Sequence, residues 1–213
     1  MSGQELLFLL SGLKWTLALS AVGFVGGAIF GLLIALARTS PNKTIAKAAE
    51  YYIGIFQGTP LLMQLFVVYF GLPLIGLKLD AWIAVAIGFT LHASAYLGEI
   101  WRGAIQAVPR GQTEAANALA LKYWPRTKDI ILPQALRISL PATIGFLVQL
   151  IKGTSLAALV GFTELSLAGK FIANQTFRPL VVYGVVGILY FIICWPLSLY
   201  GARLERKFAA ASR

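Results

Sequence analysis

Long apolar runs that hold almost no charge constrain this chain of 213 residues more than anything else in it. Between Leu13 and Ala37 the only charged residue is Lys14, and Gly23, Gly26, Gly27 and Gly31 punctuate the run. A helix of about 20 such residues crosses the hydrocarbon core of a bilayer. Hydrophobic residues make up 58% of the chain and charged residues 12%. A soluble domain carries about twice that charged fraction. No polar stretch is long enough for a separate soluble unit, so residues 1–213 read as one transmembrane domain. A secretory signal would place basic residues ahead of a short apolar core. Here Glu5 comes first and the apolar run is too long, so the segment reads as an uncleaved span.

Five spans are predicted, making an all-α integral membrane protein: residues 13–37, 61–79 and 81–104, a fourth starting near Pro133, and a fifth over 180–199. Gly27 and Gly31 form a small-xxx-small pair, with Gly23 one turn earlier, which lets helix backbones approach closely. Ordinary packing within the membrane is the expected role.

Charge sets the orientation. The net charge is +10, and thirteen of the eighteen basic residues fall in the loop after the first span, the loop after the third, and the tail. They include Arg38, Lys43 and Lys47, then six from Arg102 to Arg137, then Arg203, Arg206, Lys207 and Arg213. No single basic face is offered to nucleic acid. The positive-inside bias puts these regions in the cytoplasm, so the amino end lies outside and the carboxyl end inside. Cys194 and His92 are the sole cysteine and histidine. They cannot build a metal cluster or a disulfide framework, and no catalytic nucleophile–base pair is in view.

The loop of about residues 105–133 is therefore cytosolic. Between Gln112 and Tyr123 strong helix formers dominate, with Pro109 and Gly111 before them and Pro125 after. A helix over 112–123 is predicted, with Glu114 in its first turn, where a carboxylate favours the helix dipole. On residues alone this helix reads first as a solvated connector between two spans and second as a surface for a partner. About 12 residues are marginal without something to pack on.

Glu114-Ala115-Ala116, three residues, position 120, nine residues, Ile130, one residue, then Leu132-Pro133 resembles the EAA loop of ABC importer permeases. Every spacing fits, and Gly111 and Gln112 belong to the same segment. One residue departs: Ala120 stands where the family has glycine, which implies a straighter helix or a slightly wider docking. Phe56-Gln57-Gly58-Thr59-Pro60-Leu61-Leu62-Met63-Gln64-Leu65 is similar to the F-R-G-T-P-L-L-V-Q-L segment of polar amino-acid permeases, with Gln57 for the arginine. Tyr96 to Gly103, Thr154-Ser155-Leu156, Glu164-Leu165 and Thr176-Phe177-Arg178-Pro179 extend the likeness over most of residues 50–180.

The resemblance implies a type I importer fold with a cytoplasmic coupling helix, paired with a second permease copy or a paralogue in the lipid bilayer. Gly111, Gln112, Glu114, Ala115, Ala116, Ala120, Leu132 and Pro133 would then couple to a cytosolic ABC ATPase subunit. An extracytoplasmic binding protein would deliver an amino acid. No G-x-x-x-x-G-K-[ST] phosphate loop occurs, so the chain is expected to hold no cofactor and to have no catalytic site. ATP and magnesium would bind the partner ATPase.

Polar residues inside the apolar runs are the candidates for the substrate pathway: Gln149, Lys152, Thr154, Ser155 and Glu164. A Lys-Gly-Thr-Ser block near mid-membrane fits the discontinuous helices that line transporter sites. Equally, Lys152 can snorkel to the outer interface above a simple turn. The family commonly has aspartate where Gly153 stands, so cation binding at that position is not expected. Glu164 reads as a partner for a substrate amino group or for Lys170. Glu99 and Arg102, at i, i+3, are expected to form a structural ion pair, and His92 to pack through a hydrogen bond rather than relay protons. The other reading, an ion-coupled secondary transporter working alone, predicts paired in-span carboxylates and an internal repeat; only Glu99 qualifies and no repeat is seen.

Overall fold

The computed structural model describes residues 2–211, all of whose regular elements are helical. Arg213, counted above in the basic tail, lies outside the described residues. Helix α1 (Gly3–Arg38) begins ten residues before the expected span. Ser2 is its N-cap: the Ser2 hydroxyl accepts from Glu5 N at 3.2 Å, and the Glu5 carboxylate accepts from Ser2 N at 2.8 Å. This reciprocal box satisfies two of the donors that a helix start leaves free. With 36 residues, α1 is about 54 Å long at 1.5 Å per residue.

After Asn42, whose side chain accepts from Thr44 N and Ile45 N, α2 (Lys43–Gly58) forms where a loop was expected. It meets α3 (Leu61–Leu74) at a bend of 104° across Thr59-Pro60. The predicted span over 61–79 is thus corrected: α3 is the shorter arm of a broken pair. Proline has no N–H to continue a helix through the bend. Then come α4 (Ala81–Ala107), α5 (Arg110–Ala118), α6 (Tyr123–Val160), α7 (Leu165–Thr176) and α8 (Pro179–Ala211). Four helices (α1, α4, α6 and α8) are long and apolar enough to cross a membrane, and the bent pair makes a fifth crossing if taken as one.

α6 starts about ten residues before Pro133, the expected beginning, because a π-helical turn over Arg126–Ile131 carries it through. Pro133 has no N–H to give the carbonyl four residues back, that of Asp129, and the wide turn encloses that residue. The same arrangement recurs in α3, where the π turn Val67–Gly71 precedes Pro73. At its far end α6 does not break at the Lys-Gly-Thr-Ser block. It tightens into a 3-10 helix over Thr154–Val160 and stops at Gly161, whose φ of 82° places it in the left-handed region.

α1 lies along α4, and small residues bring the two together. A Cβ built on Gly23 would stand 2.9 Å from Phe89 Cβ, one on Gly31 3.1 Å from Leu97 Cβ, and one on Gly27 would overlap Ala93 Cβ. The glycine stripe thus serves packing inside the chain. Leu19, Leu65, Phe89, Leu97, Phe146 and Leu150 form the main core where α1, α3, α4 and α6 meet. A second core joins α1, α7 and α8 through Leu9, Leu165, Ile172, Val182 and Val186.

The two ends of the bundle are distinct. Ser2 and Glu5 share a cleft with Thr176 and Arg178 at one end. At the other, the Tyr123 hydroxyl reaches the Thr39 carbonyl at 3.5 Å. α8 leaves the first end beside Arg178 and, with 33 residues, is about 50 Å long. It therefore carries the chain to the second end. The amino and carboxyl ends lie on opposite faces, as the charge pattern required, and the positive-inside bias makes the second face cytoplasmic.

Candidate functional site

Two features stand out: an exposed short helix on the cytoplasmic face, and a half-open cavity in the side of the bundle. The short helix is α5. Its nine residues start at Arg110, after the N-cap Pro109, and stop at Ala118, so it lies earlier and is shorter than the predicted 112–123. Glu114 consequently falls in the second turn rather than the first, which removes the expected dipole contact. Gly111, Gln112, Glu114 and Ala115 are exposed, whereas Ala116 is buried at 1% exposure and anchors the helix to the body. Arg126 Nη1 donates to Asn117 Oδ1 at 2.6 Å, and Gln134 Nε2 donates to Gln112 Oε1 at 3.4 Å. These bonds tie α5 to the first turns of α6, where Leu132 is half-buried and Pro133 exposed.

Ala120 terminates this helix in a way its side chain does not favour. Its φ is +52°, the left-handed region in which Cβ crowds the backbone. Ala120 N donates to Asn117 O at 2.9 Å and Leu121 N to Ala116 O at 3.1 Å. That pair of bonds is a Schellman ending, with Ala120 at the position glycine usually takes. The straighter helix expected from the alanine does not form: the chain makes the glycine-type turn regardless. Two closing hydrogen bonds and the buried Ala116 outweigh the local strain.

The cavity has a volume of about 470 Å³ and lies between the α2–α3 bend, α4 and α6. Gln57, Thr59 and Leu61 line it from the bend, His92 and Tyr96 from α4, and Phe146, Gln149 and Gly153 from α6. The bend is held by one side chain. Gln64 Nε2 donates to the Phe56 carbonyl at 2.7 Å, the Thr59 carbonyl at 2.9 Å and the Thr59 hydroxyl oxygen at 3.0 Å. Two carbonyl acceptors fix which end of the amide is nitrogen. Its other end, Oε1, lies 3.0 Å from His92 Nδ1 and can only accept, so Nδ1 carries a proton. In the neutral imidazole Nε2 is then the acceptor. The His92 ring packs tilted against Tyr96 and stacks on Phe146, with centroids 4.5 and 6.3 Å away. The histidine is a hydrogen-bonded packing residue, as expected, and it is also cavity wall.

Of the residues predicted for a substrate pathway, the structure brings only Gln149 to this cavity, with Gly153 one turn on. Lys152 is exposed and outside the lining. The Thr154 hydroxyl donates to the Ile151 carbonyl and that of Ser155 to the Lys152 carbonyl, so both are taken up by their own helix. Glu164 is fully buried and is the N-cap of α7, accepting from Ser166 N and Leu167 N at 2.9 Å each. The Tyr190 hydroxyl also donates to it at 2.9 Å, and that of Thr16 at 3.4 Å. Three of these donors converge on Oε2 and one on Oε1, so the fully buried carboxylate is bonded within the protein and makes no ion pair with Lys170, which is exposed. Glu99 and Arg102 form the expected pair, with two nitrogens on two oxygens at 2.7 and 2.6 Å. Sequence reasoning misses Gln57, Thr59, Gln64 and Tyr96 as site residues, although all four lie in the segments that carry the family resemblance. A buried glutamine in an apolar run, as Gln64 is, was the available signal.

Comparison with known proteins places this arrangement. The family model described as "Binding-protein-dependent transport system inner membrane component" matches residues 27–210. The chain is 40% identical over 202 residues to the probable amino-acid ABC transporter permease protein YckA of Bacillus subtilis (strain 168), covering 95% of this chain and 89% of that one. To the glutamine transport system permease protein GlnP of Escherichia coli (strain K12) it is 36% identical over 201 residues, 93% of this chain and 92% of that one. The crystal structure of an amino acid ABC transporter with histidines superposes with a TM-score of 0.87 at 34% identity, covering 94% of each chain. The chain thus belongs to the binding-protein-dependent transport system inner membrane components, the multi-pass permease subunits of ABC importers.

Proposed function

We propose that this permease carries polar or charged amino acids inward through the cavity between the α2–α3 bend, α4 and α6, and that α5 takes up the motion of a separate ATPase subunit. The observation that carries the reading is the construction of α5: Gln112, Glu114 and Ala115 are presented to solvent on the basic face, while Ala116 and the Arg126–Asn117 bond fasten the helix to α6. A push on α5 is thereby delivered to the helix that forms one cavity wall. Relatives named for amino-acid and glutamine transport support the cargo class.

In this reading Gly111, Gln112, Glu114, Ala115, Ala116, Ala120, Leu132 and Pro133 form the coupling segment. ATP and magnesium belong to the cytosolic partner, a second permease copy or paralogue completes the pathway, and an extracytoplasmic binding protein supplies the amino acid. Nucleotide-driven closure of the ATPase pair moves the docked helices, and the bundle rocks as rigid bodies between outward- and inward-open forms. The test is disulfide cross-linking from Glu114→Cys to cysteines placed over the ATPase surface in the assembled complex. A nucleotide-sensitive cross-link is expected. A transport-competent complex in which no ATPase position cross-links would overturn the docking assignment.

A further inference from the structure

We propose that the cavity selects amino acids whose side chains carry no net charge. The inference rests on the importer reading above and narrows its cargo. None of the described residues lining the cavity bears a formal charge, in a chain with eighteen basic and eight acidic residues. Its polar groups are neutral dipoles: the amides of Gln57 and Gln149, the Thr59 hydroxyl, the Tyr96 phenol and the His92 imidazole. Because His92 gives its Nδ1 proton to Gln64, the neutral ring offers only an acceptor at Nε2.

Charged residues on or beside the helices that form this wall are turned away from it or compensated. Lys152 sits roughly 100° round the helix from Gly153, exposed and outside the lining. Glu99 and Arg102, beyond Tyr96 on α4, neutralise each other. Glu164 is enclosed by four donors.

A zwitterion brings its own two charges side by side, and neutral donors and acceptors can solvate them. An additional ammonium, guanidinium or carboxylate would give up hydration on its walled side to dipoles alone, with no counter-charge among the lining residues to replace it. A side-chain amide or hydroxyl meets no such penalty and finds partners in the amides of Gln57 and Gln149. The cavity thus favours net-neutral cargo with a hydrogen-bonding side chain.

The selectivity is exposed by placing a carboxylate in the wall. Gln149→Glu replaces one amide nitrogen by oxygen at an exposed position. Gly153→Asp is an independent route, since a Cβ there meets only Leu61 Cδ2 at 3.4 Å and Phe89 Cε1 at 3.8 Å. Binding of radiolabelled L-glutamine, L-arginine and L-glutamate is measured on the permease–ATPase complex in nanodiscs, without binding protein. Wild type is expected to hold glutamine at least tenfold more tightly than arginine or glutamate, and either variant to gain at least tenfold for arginine and nothing for glutamate.

Equal affinity of wild type for arginine or glutamate overturns the inference, as does failure of both folded variants to shift. Absence of binding by all three probes overturns it too. In that case, continued ATP-driven amino-acid uptake by the full complex in liposomes leaves the importer reading standing, whereas loss of that uptake counts against the importer reading itself.

Discussion

Ala120→Gly should stabilise the end of the coupling helix. Ala120 holds φ at +52° in a Schellman ending closed by bonds of 2.9 and 3.1 Å. Placing a Cβ in the left-handed region costs about 1–2 kcal/mol, and glycine removes that cost. Glycine also frees the unfolded turn, which returns about 0.4–1 kcal/mol. The net gain is about 0.5–1 kcal/mol, a two- to fivefold change in the local opening equilibrium, at about 1.4 kcal/mol per tenfold. Ala120 is exposed, so no packing contact confuses the comparison. Hydrogen exchange of the Ala120 and Leu121 amides reads the opening directly. Both should exchange about two- to fivefold more slowly in the glycine variant, and faster in Ala120→Val, whose branched side chain tolerates this conformation less well. Exchange in Ala120→Gly equal to or faster than wild type would refute the strain argument.

Gly27→Ala should lower the thermal midpoint of the purified protein, since its Cβ overlaps that of Ala93 and overpacking costs about 1–3 kcal/mol. Gly54→Ala, where nothing lies within 4 Å, is the control and should not lower it. Glu164→Gln puts an amide NH₂ among four donors and removes charge-assisted bonds, so a loss of about 2 kcal/mol is expected; an unchanged melting curve together with altered substrate affinity would contradict the structural role. Gln64→Leu leaves the Phe56 and Thr59 carbonyls and His92 Nδ1 without the bonds they now make to this side chain. Spin labels at Lys47 and Leu74 should then report a broadened distance distribution by pulsed dipolar spectroscopy, and an unaltered one would show that the bend does not depend on this amide.

The crossings α1, α4, α6 and α8 were legible because an apolar run of span length has few alternatives. Their ends were less so, although the signals existed: Ser2 and Glu5 spell a capping box, and Asn42 announces α2. What hid α2 was its composition, polar enough on one face to pass for a loop. The 104° bend was foreshadowed only by Gly58-Thr59-Pro60, since the angle depends on Gln64 reaching back to Phe56 and on α4 receiving its other end. The cavity joins residues from three elements far apart in sequence, and of its lining only Gln149 reads from sequence as a pathway residue. From sequence Glu164 reads as a partner for a substrate amino group or for Lys170, because nothing local reveals that Thr16 and Tyr190, from opposite ends of the chain, converge on it. Ala120 was misread because alanine ordinarily argues for a helix that continues.

The two π turns have a mechanical consequence. Each holds one residue more than an α-helix would over the same rise, and relaxing it to α geometry would turn everything above it by about 100°. Pro133 and Pro73 oppose that relaxation, because in the tighter winding the carbonyls of Asp129 and Tyr69 would face a ring with no hydrogen to offer. The prolines therefore act as pawls, each locking a rotational setting. In α6 the setting so locked is the one that keeps Gln149 and Gly153 turned toward the cavity while the base of the same helix is pushed.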